Sequence, residues 1–309
     1  MLKEFAVDPE VIAASWEDCR HIAGLFGPHK GRLIARFPRT WKQLVFDAIQ
    51  ANMGDGLKKE RAIQQINDLK NSTHLVSLGR PYLNPDETWL NNALLSHQEA
   101  AFEAIISGES IDGCAFIVDE LDENTEPLLT PISREVSRAA HSLAQCAHLI
   151  LKSGKHFRYV DPYFDPAKVK WRNSLGAFLS LVPKPSEVVF EVHALDQGGR
   201  PSLAVQKERA RELSAVIPDS CSVKIILWKE TDRGERFHRR LFMSQHLGLS
   251  YEGGLDEGPA GHTTDVFLMD IANQQSRWNQ LNSDSTAYEL VTPVLVVLSD
   301  GSCREESNF

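Results

Sequence analysis

The stretch RFHRRLFMS covers residues 236–244 and predicts a β-strand with two chemically different faces. Side chains two positions apart share one face of a strand, so His238 and Arg240 are expected to point the same way. The opposite, apolar face is predicted to carry Phe237, Leu241 and Met243. The preceding residues 232–235, DRGE, are typical of a turn. Because an imidazole beside a guanidinium is suited to an anion, the pattern predicts a phosphate site on this strand.

The spacing His238-x-Arg240-x4-Gln245 resembles a degenerate copy of the His-x-Lys-x4-Asp motif of the phospholipase D superfamily. Arg240 in place of lysine keeps a permanent positive charge and adds a planar fork that can grip phosphate through two hydrogen bonds. Gln245 in place of aspartate is the larger change. A neutral amide stabilises a charged, reacting histidine far less well than a carboxylate does.

Two further stretches are similar to the same superfamily. Residues 157–164, FRYVDPYF, read as a buried strand that enters a proline-containing loop, and they resemble its first core strand. Residues 253–258, GGLDEG, resemble the glycine-containing turn that follows the histidine strand. The resemblance covers roughly the second half of the chain, by the same strand and turn signals. The chain is also similar, more weakly, to uncharacterised bacterial phospholipase D-like proteins encoded near defence genes.

Hydrophobic patterning predicts a division of the chain near residue 130. Residues 1–129 are expected to form a mainly helical N-terminal domain. Its helices are predicted over residues 9–26, 41–51, 58–70 and 87–107. A helix is predicted from Pro131 to about Leu151, and strands then alternate with helices. Residues 130–309 are therefore expected to be an α/β domain, which the resemblance identifies as a phospholipase D-like mixed sheet flanked by helices.

The resemblance implies a mechanism in which one histidine attacks phosphorus to form a covalent phosphohistidine, while a second protonates the leaving oxygen and then activates water. Arg240 would neutralise charge on the phosphoryl oxygens, and no metal or other cofactor is implied. Single-copy relatives assemble the site from two subunits, so a homodimer that places His238 opposite its symmetry mate is expected. Glu252, Asp256 or Glu257 is predicted to orient His238 in place of the missing aspartate.

Five further residues are candidates for substrate binding. They are Arg236, Arg239, Asp161, Tyr163 and His193. The two arginines surround His238 with positive charge. The aspartate and tyrosine follow the first core strand at its carboxyl end, where open α/β sheets place their sites, although Asp-Pro is equally typical of a turn. His193 shares a predicted strand face with Glu191. It either lines the same pocket as His238 or is a satisfied polar residue at the strand edge.

Composition limits the function classes. The chain has 309 residues, of which 42% are apolar, and a formal net charge of −9. Its length permits two domains. The negative charge argues against a general nucleic-acid coat, because phosphates would be repelled wherever positive charge is not gathered locally. Five scattered cysteines and an N-terminus without an apolar secretory core favour a reducing cytoplasm, and the longest apolar runs are too short to span a membrane.

Two functions from different classes fit these observations. The first is a metal-independent phosphodiesterase that works as a homodimer in the cytoplasm. The surrounding arginines favour a nuclease. The second is a catalytically degenerate relative that binds a phosphate-bearing ligand, while its N-terminal half docks a protein partner in a larger assembly. The retained His238 favours the first function, and Gln245 favours the second.

Overall fold

The computed structural model describes residues 1–71, 74–183, 188–198, 201–219, 221–232 and 234–307. They form two compact units, Met1–Ile132 and Ser133–Phe309. The sequence predicts this division after residue 129. Both units are α/β, the first built on a parallel sheet and the second on a mixed sheet flanked by helices. No helix in the described ranges is long and apolar enough to cross a membrane.

The first unit contains a five-stranded parallel sheet in the order β3-β2-β1-β4-β5. Its strands are β1 (Lys3–Val7), β2 (Arg32–Ala35), β3 (Leu75–Val76), β4 (Ile105–Ser107) and β5 (Ala115–Ile117). Its helices are α1 (Pro9–Ile12), α2 (Trp16–Leu25), α3 (Trp41–Asn52), α4 (Leu57–Asn71) and α5 (Trp89–Glu99), with short 3₁₀ turns at Pro28–Lys30 and Val118–Glu120.

The prediction of a mainly helical N-terminal domain is wrong about this architecture, because it misses the parallel sheet. β2 and β4 are buried at every position, and a strand covered on both faces shows no alternation of polar and apolar residues. The helix predicted over residues 87–107 therefore ends at Glu99, and its last residues form β4. The helix predicted over residues 9–26 is two helices, because the Ser15 hydroxyl caps α2 by accepting from Asp18 N–H at 3.1 Å.

The second unit contains a nine-stranded mixed sheet in the order β14-β13-β9-β8-β7-β10-β11-β12-β6. Its strands are β6 (Ser133–Ser137), β7 (His156–Val160), β8 (Val188–Leu195), β9 (Cys221–Glu230), β10 (Leu241–Ser244), β11 (Gly248–Tyr251), β12 (Thr263–Leu268), β13 (Tyr288–Leu298) and β14 (Cys303–Glu306). Its helices are α6 (Ala140–Cys146), α7 (His148–Ser153), α8 (Val169–Ser180), α9 (Leu203–Arg211) and α10 (Ile271–Gln280), with a 3₁₀ turn at Glu212–Val216. β7, β8 and β9 are parallel, and the remaining pairings are antiparallel.

The expected mixed sheet flanked by helices is confirmed, but two predicted elements of this unit are wrong at their starts. The helix predicted from Pro131 is preceded by β6, an edge strand that exposes all but one of its residues and so carries no apolar stripe. The strand predicted to begin at Phe237 begins at Leu241, which pairs with Val160. β7 ends at Val160, so the residues before Leu241 have no neighbouring strand on that side.

The two faces of the mixed sheet carry different cores. Aromatic rings from β7, β8 and β10 pack with Phe178 of α8 on one face. On this face the Tyr159 hydroxyl donates to the Leu255 carbonyl at 2.8 Å, which holds the loop of residues 253–258 over the end of the sheet. On the other face, Phe237 and Leu241 join a core that includes Trp228, on the side of the sheet covered by α10. Both cores anchor the carboxyl end of β7, where the candidate site lies.

Candidate functional site

The pairing of β7 with β10 brings three predicted site residues to one edge of the sheet. Val160 and Leu241 are direct partners, so Asp161 and Arg240 are the next residues beyond the paired ladder. The half-buried Arg240 guanidinium lies over the Tyr163 ring, with 5.6 Å between Cζ and the ring centroid. A cation over an aromatic face is attracted by the ring quadrupole. The edge therefore presents a cation held by an aromatic ring, next to a carboxyl group.

Asp161 is buried and organises this edge. Its Oδ1 accepts from Tyr163 N–H and its Oδ2 accepts from Leu255 N–H, each at 3.0 Å. The first of these bonds is the turn that the Asp-Pro sequence also predicts. Burial raises the pKa of the Asp161 carboxyl to about 6, although the two N–H groups and the charge of Arg240 favour its ionised form. Asp161 thus joins two loops and controls the charge beside Arg240.

His238 lies in the irregular segment before β10, and its side chain is exposed. The alternation predicted from the sequence continues through this segment. Phe237, Arg239 and Leu241 line a crevice with α10, whereas Arg240 faces Tyr163 on the other side. By this alternation, His238 is expected on the same side as Arg240. Arg239, predicted to bind substrate, is therefore placed on the opposite face of the chain from Arg240.

The His238 ring is held by a backbone carbonyl. Its Nδ1 lies 2.9 Å from the carbonyl oxygen of Arg236, whose own side chain is exposed. A carbonyl oxygen only accepts hydrogen bonds, so Nδ1 carries the hydrogen and Nε2 of the neutral ring presents its lone pair. Gln245 takes no part in this arrangement, because it lies beyond the far end of β10, in the connection to β11.

The three carboxylates predicted to orient His238 have other surroundings. Asp256 accepts from Arg138 Nη2 at 2.6 Å and from Lys170 Nζ at 2.7 Å, and Glu257 accepts from Asn173 Nδ2 at 2.6 Å. Glu252 is exposed after β11. Within the residues that the structure describes, none of the three forms a hydrogen bond or ion pair with the His238 ring.

The loop that carries these carboxylates depends on a glycine. Gly254 has φ +105°, and a Cβ built there would lie 2.7 Å from Asp256 Oδ1 and 3.6 Å from Asp161 Oδ2. A side chain at this position would have a strained backbone and would collide with the Asp256 carboxylate. Gly254 therefore allows the loop to pass closely over Asp161, and the predicted glycine-containing turn is where the site is closed on one side.

His193 is a fully buried part of the core. Its Nδ1 accepts from the Trp228 indole N–H at 2.9 Å, and its Nε2 lies 3.2 Å from Glu191 Oε2. An Nδ1 that accepts a hydrogen bond cannot be protonated, so the ring is neutral with its hydrogen on Nε2. Burial lowers the pKa of His193 to about 4, although Glu191 favours the charged form. Of the two roles open from the sequence, this geometry is that of a satisfied polar residue.

A cavity of about 250 Å³ opens beside Tyr163. It lies between the β7–α8 loop, the end of β8, α9 and the faces of β9 and β13. Sequence analysis missed this cavity, because its walls come from five separate segments and no single stretch has a pattern that marks a pocket. Its polar lining includes Lys168, Gln197, Gln206 and Arg209. In the part of the chain that the structure describes, no group of three or more His, Cys, Asp or Glu side chains could hold a metal ion.

No family model matches this chain, and no curated protein sequence matches it. Among solved structures, the chain is similar to TrmBL2, described as an archaeal chromatin protein whose structure shows a novel mode of DNA binding. The sequence identity is 13% and the TM-score is 0.27, over 76% of this chain and 84% of that chain. At this TM-score the similarity carries no argument about fold or function.

Proposed function

We propose that the second unit is a phospholipase D-like, metal-independent phosphodiesterase that acts on nucleic acid. In this proposal His238 is the nucleophile and Arg240 binds the phosphoryl oxygens. Three features support this proposal. The imidazole of His238 is exposed, its Nε2 presents a lone pair, and a guanidinium follows two residues later at the same edge of the sheet. A nucleophilic histidine must be exposed and must present a lone pair. A guanidinium stabilises the negative charge that a phosphodiester gains during the reaction.

The hydrogen bond from His238 Nδ1–H to the Arg236 carbonyl is the observation that carries the proposal. In the superfamily motif a carboxylate holds the reactive tautomer of the histidine, and Gln245 stands in its place. A backbone carbonyl also fixes the tautomer with Nε2 free. It stabilises the positively charged ring less than a carboxylate does. The altered motif thus keeps the orientation of the nucleophile and gives up part of the stabilisation of its charge.

The proposed reaction has two steps. First, Nε2 of His238 bonds to phosphorus as the P–O bond to the leaving alcohol breaks, and the leaving oxygen takes a proton from a second copy of His238 across a twofold axis. Water then attacks phosphorus, the second histidine accepts the proton of that water, and the N–P bond breaks to release a phosphate monoester. The scheme requires a homodimer, because each chain contributes one such histidine.

The test is cleavage of single- and double-stranded DNA and RNA by the full-length chain in excess EDTA. We expect products from the wild type and none from His238→Ala. His246→Ala is the matched control, because His246 is also an exposed histidine but lies between β10 and β11. Products that persist in His238→Ala would contradict the proposal, and so would a monomer by sedimentation at the assay concentration.

A second candidate is a non-catalytic subunit that binds a phosphate-bearing ligand, with the first unit docking a protein partner. It is favoured by the contact of the Arg240 guanidinium with the Tyr163 ring, which does not involve His238. The two candidates differ in one measurement. Both candidates predict that oligonucleotide binding survives His238→Ala and weakens after Arg240→Ala, whereas only the enzyme cleaves; a binder produces no cleavage products with any substrate.

A further inference from the structure

The cavity beside Tyr163 has one apolar wall and one polar rim. Ile225, Leu227 and Leu295, from β9 and β13, form the apolar wall. The rim carries two amide side chains and two cations, Gln197, Gln206, Lys168 and Arg209. The volume of about 250 Å³ lies slightly below the ~300–1,000 Å³ of typical small-molecule pockets. A cavity of this size suits one flat group with a polar edge.

Tyr163 joins the cavity to the candidate phosphate site. The residue is 57% exposed, lines the cavity, and places its ring beneath the Arg240 guanidinium. An exposed aromatic face is a stacking platform for a planar ring, and such stacking tolerates any base. A ligand whose phosphate contacts Arg240 therefore has, at the distance of one side chain, a surface on which an attached planar group can stack.

The amides and cations of the rim specify the chemistry further. Gln206 Nε2 donates to the Pro201 carbonyl at 2.8 Å, which fixes the amide, and its oxygen has no hydrogen-bond partner among the described residues. Arg209 is exposed and makes no ion pair among the described residues. A fixed amide can read the donor edge of a base, and an unpaired guanidinium can contact a neighbouring phosphate. An acyl chain would use the apolar wall but neither of these groups.

We propose that this cavity receives a nucleobase from an unpaired, single-stranded nucleic acid whose phosphodiester lies at Arg240 and His238. The inference rests on the proposed function for the position of the phosphate, and it adds the substrate class. The base stacks on Tyr163 against the apolar wall, Gln206 accepts from its edge, and Arg209 contacts the next phosphate. A base paired in a duplex is not free to enter, so single strands are preferred over double strands.

The inference is tested by binding, so that it does not depend on turnover. The full-length His238→Ala chain is titrated into a fluorescein-labelled ten-nucleotide oligothymidylate, or into an abasic ten-mer with the same phosphates, and fluorescence anisotropy is recorded. We expect the oligothymidylate to bind roughly tenfold more tightly or better, the range of one stacked base. Equal affinity for the two oligomers, or no affinity for either, overturns the inference. Cleavage by the wild type in EDTA is judged separately and decides the proposed function alone.

Two variants place the base in the cavity. Leu227→Trp fills the space and is expected to remove the preference for oligothymidylate over the abasic oligomer. Val205→Trp is the matched control, because Val205 is a partly exposed apolar residue on α9 outside the cavity lining. Gln206→Ala leaves the backbone intact and is expected to reduce the preference by roughly two- to tenfold, the range of one lost hydrogen bond. If the preference for oligothymidylate is undiminished in Leu227→Trp and in Gln206→Ala, the assignment is contradicted.

A phospholipid is the outcome that would replace the nucleobase. Vesicles of phosphatidylcholine with phosphatidylglycerol are added as competitors of the labelled oligothymidylate. We expect no competition beyond the nonspecific effect seen equally in Leu227→Trp. Vesicle binding that requires an open cavity, and is lost in Leu227→Trp but kept in Val205→Trp, would overturn the inference in favour of a lipid ligand.

Discussion

Two regions of the second unit use the same three kinds of side chain in opposite ways. On the α10 face, Arg158, Glu191 and His193 form a closed network on β7 and β8. At the edge of the sheet, Asp161, Arg240 and His238 lie in and beside the loops. The first network is buried, and each of its charged groups has a charged or hydrogen-bonding partner. The second region is open to solvent at the imidazole and half-open at the guanidinium.

The difference shows that residue type does not assign function. The Arg158 guanidinium donates to Glu191 Oε2 at 2.8 Å and stacks on Trp278 with 4.0 Å between Cζ and the ring centroid. These contacts within the protein occupy the groups that would otherwise bind a ligand. The Arg240 guanidinium has a ring beneath it and a carboxyl group beside it, but retains an open side. A charged group is available to a ligand where its partners leave some of its hydrogen bonds unmade.

The largest effect that this comparison predicts is on stability, from Glu191→Ala. The substitution removes the charge partner of the buried Arg158 and the acceptor for His193. Breaking a buried ion pair from one side costs about 3–5 kcal/mol, because it leaves an uncompensated charge. Urea-dependent hydrogen exchange of peptides covering β7 and β8 would measure this loss in the second unit alone. Cleavage products, if they are formed by the wild type, should disappear only in proportion to the unfolded fraction.

Glu289→Ala is the control for that prediction. Glu289 pairs with Lys229 at 3.9 Å, and both side chains are largely exposed. Exposed pairs contribute less than about 1 kcal/mol. An equal loss of stability in both variants would show that the Glu191 network does not differ from surface ion pairs, and the distinction between the two regions would fail.

The sequence predicted the open edge better than the closed network. Asp161, Tyr163 and Arg240 were identifiable because a short motif and the end of an apolar strand mark them locally. The shared direction of His238 and Arg240 stays a prediction, because the segment is not a strand. The shared strand face of His193 and Glu191 was also predicted. Their partners were not, because Trp228 donates to His193 from a strand 35 residues away, and only the pairing of β8 with its neighbours brings Trp228 and Arg158 to them.

The elements that the sequence missed share a physical cause. β2 and β4 are short and buried on both faces, so neither period nor length distinguishes them from helical turns. β6 is polar because it is an exposed edge, and it was hidden within a predicted helix. The cavity beside Tyr163 is built from distant segments and has no local pattern at all. Local signals therefore identified the residues of one strand end, but not the space that they share with the rest of the sheet.

The next effect in size separates the two faces of a single stretch. Arg240→Ala is expected to weaken oligonucleotide binding roughly 10- to 100-fold, the range of a lost charge-assisted hydrogen bond to phosphate. Arg239→Ala should change affinity far less, because Arg239 lies with α10 on the other side of the segment. Both substitutions remove one positive charge, so long-range attraction is matched. Equal effects in anisotropy titrations would mean that charge alone, rather than position at the sheet edge, determines binding.

The smallest expected effect is the response of the open edge to acid. The pKa of Asp161 is raised to about 6 from its ordinary value of 3.8, so the carboxyl group is charged at pH 7 and largely neutral at pH 5. Its negative charge beside Arg240 opposes a phosphodiester, whose own charge is constant over this range. Affinity for oligothymidylate should therefore rise as the pH falls through 6, by roughly two- to fivefold for charges a few ångströms apart near the surface.

The measurement is made in the His238→Ala chain, which removes the neighbouring imidazole, and at constant ionic strength. Asp161→Asn in the same background isolates the carboxyl group: its affinity should be independent of pH between 5 and 7, even where losing the bond to Tyr163 or Leu255 N–H lowers its absolute value. Asp256 also faces this group but is held between Arg138 and Lys170, so its charge is balanced. Affinity that falls in acid, or that rises equally in Asp161→Asn, would show that the bound phosphate does not sense Asp161 and that Arg240 is as closed to ligands as Arg158.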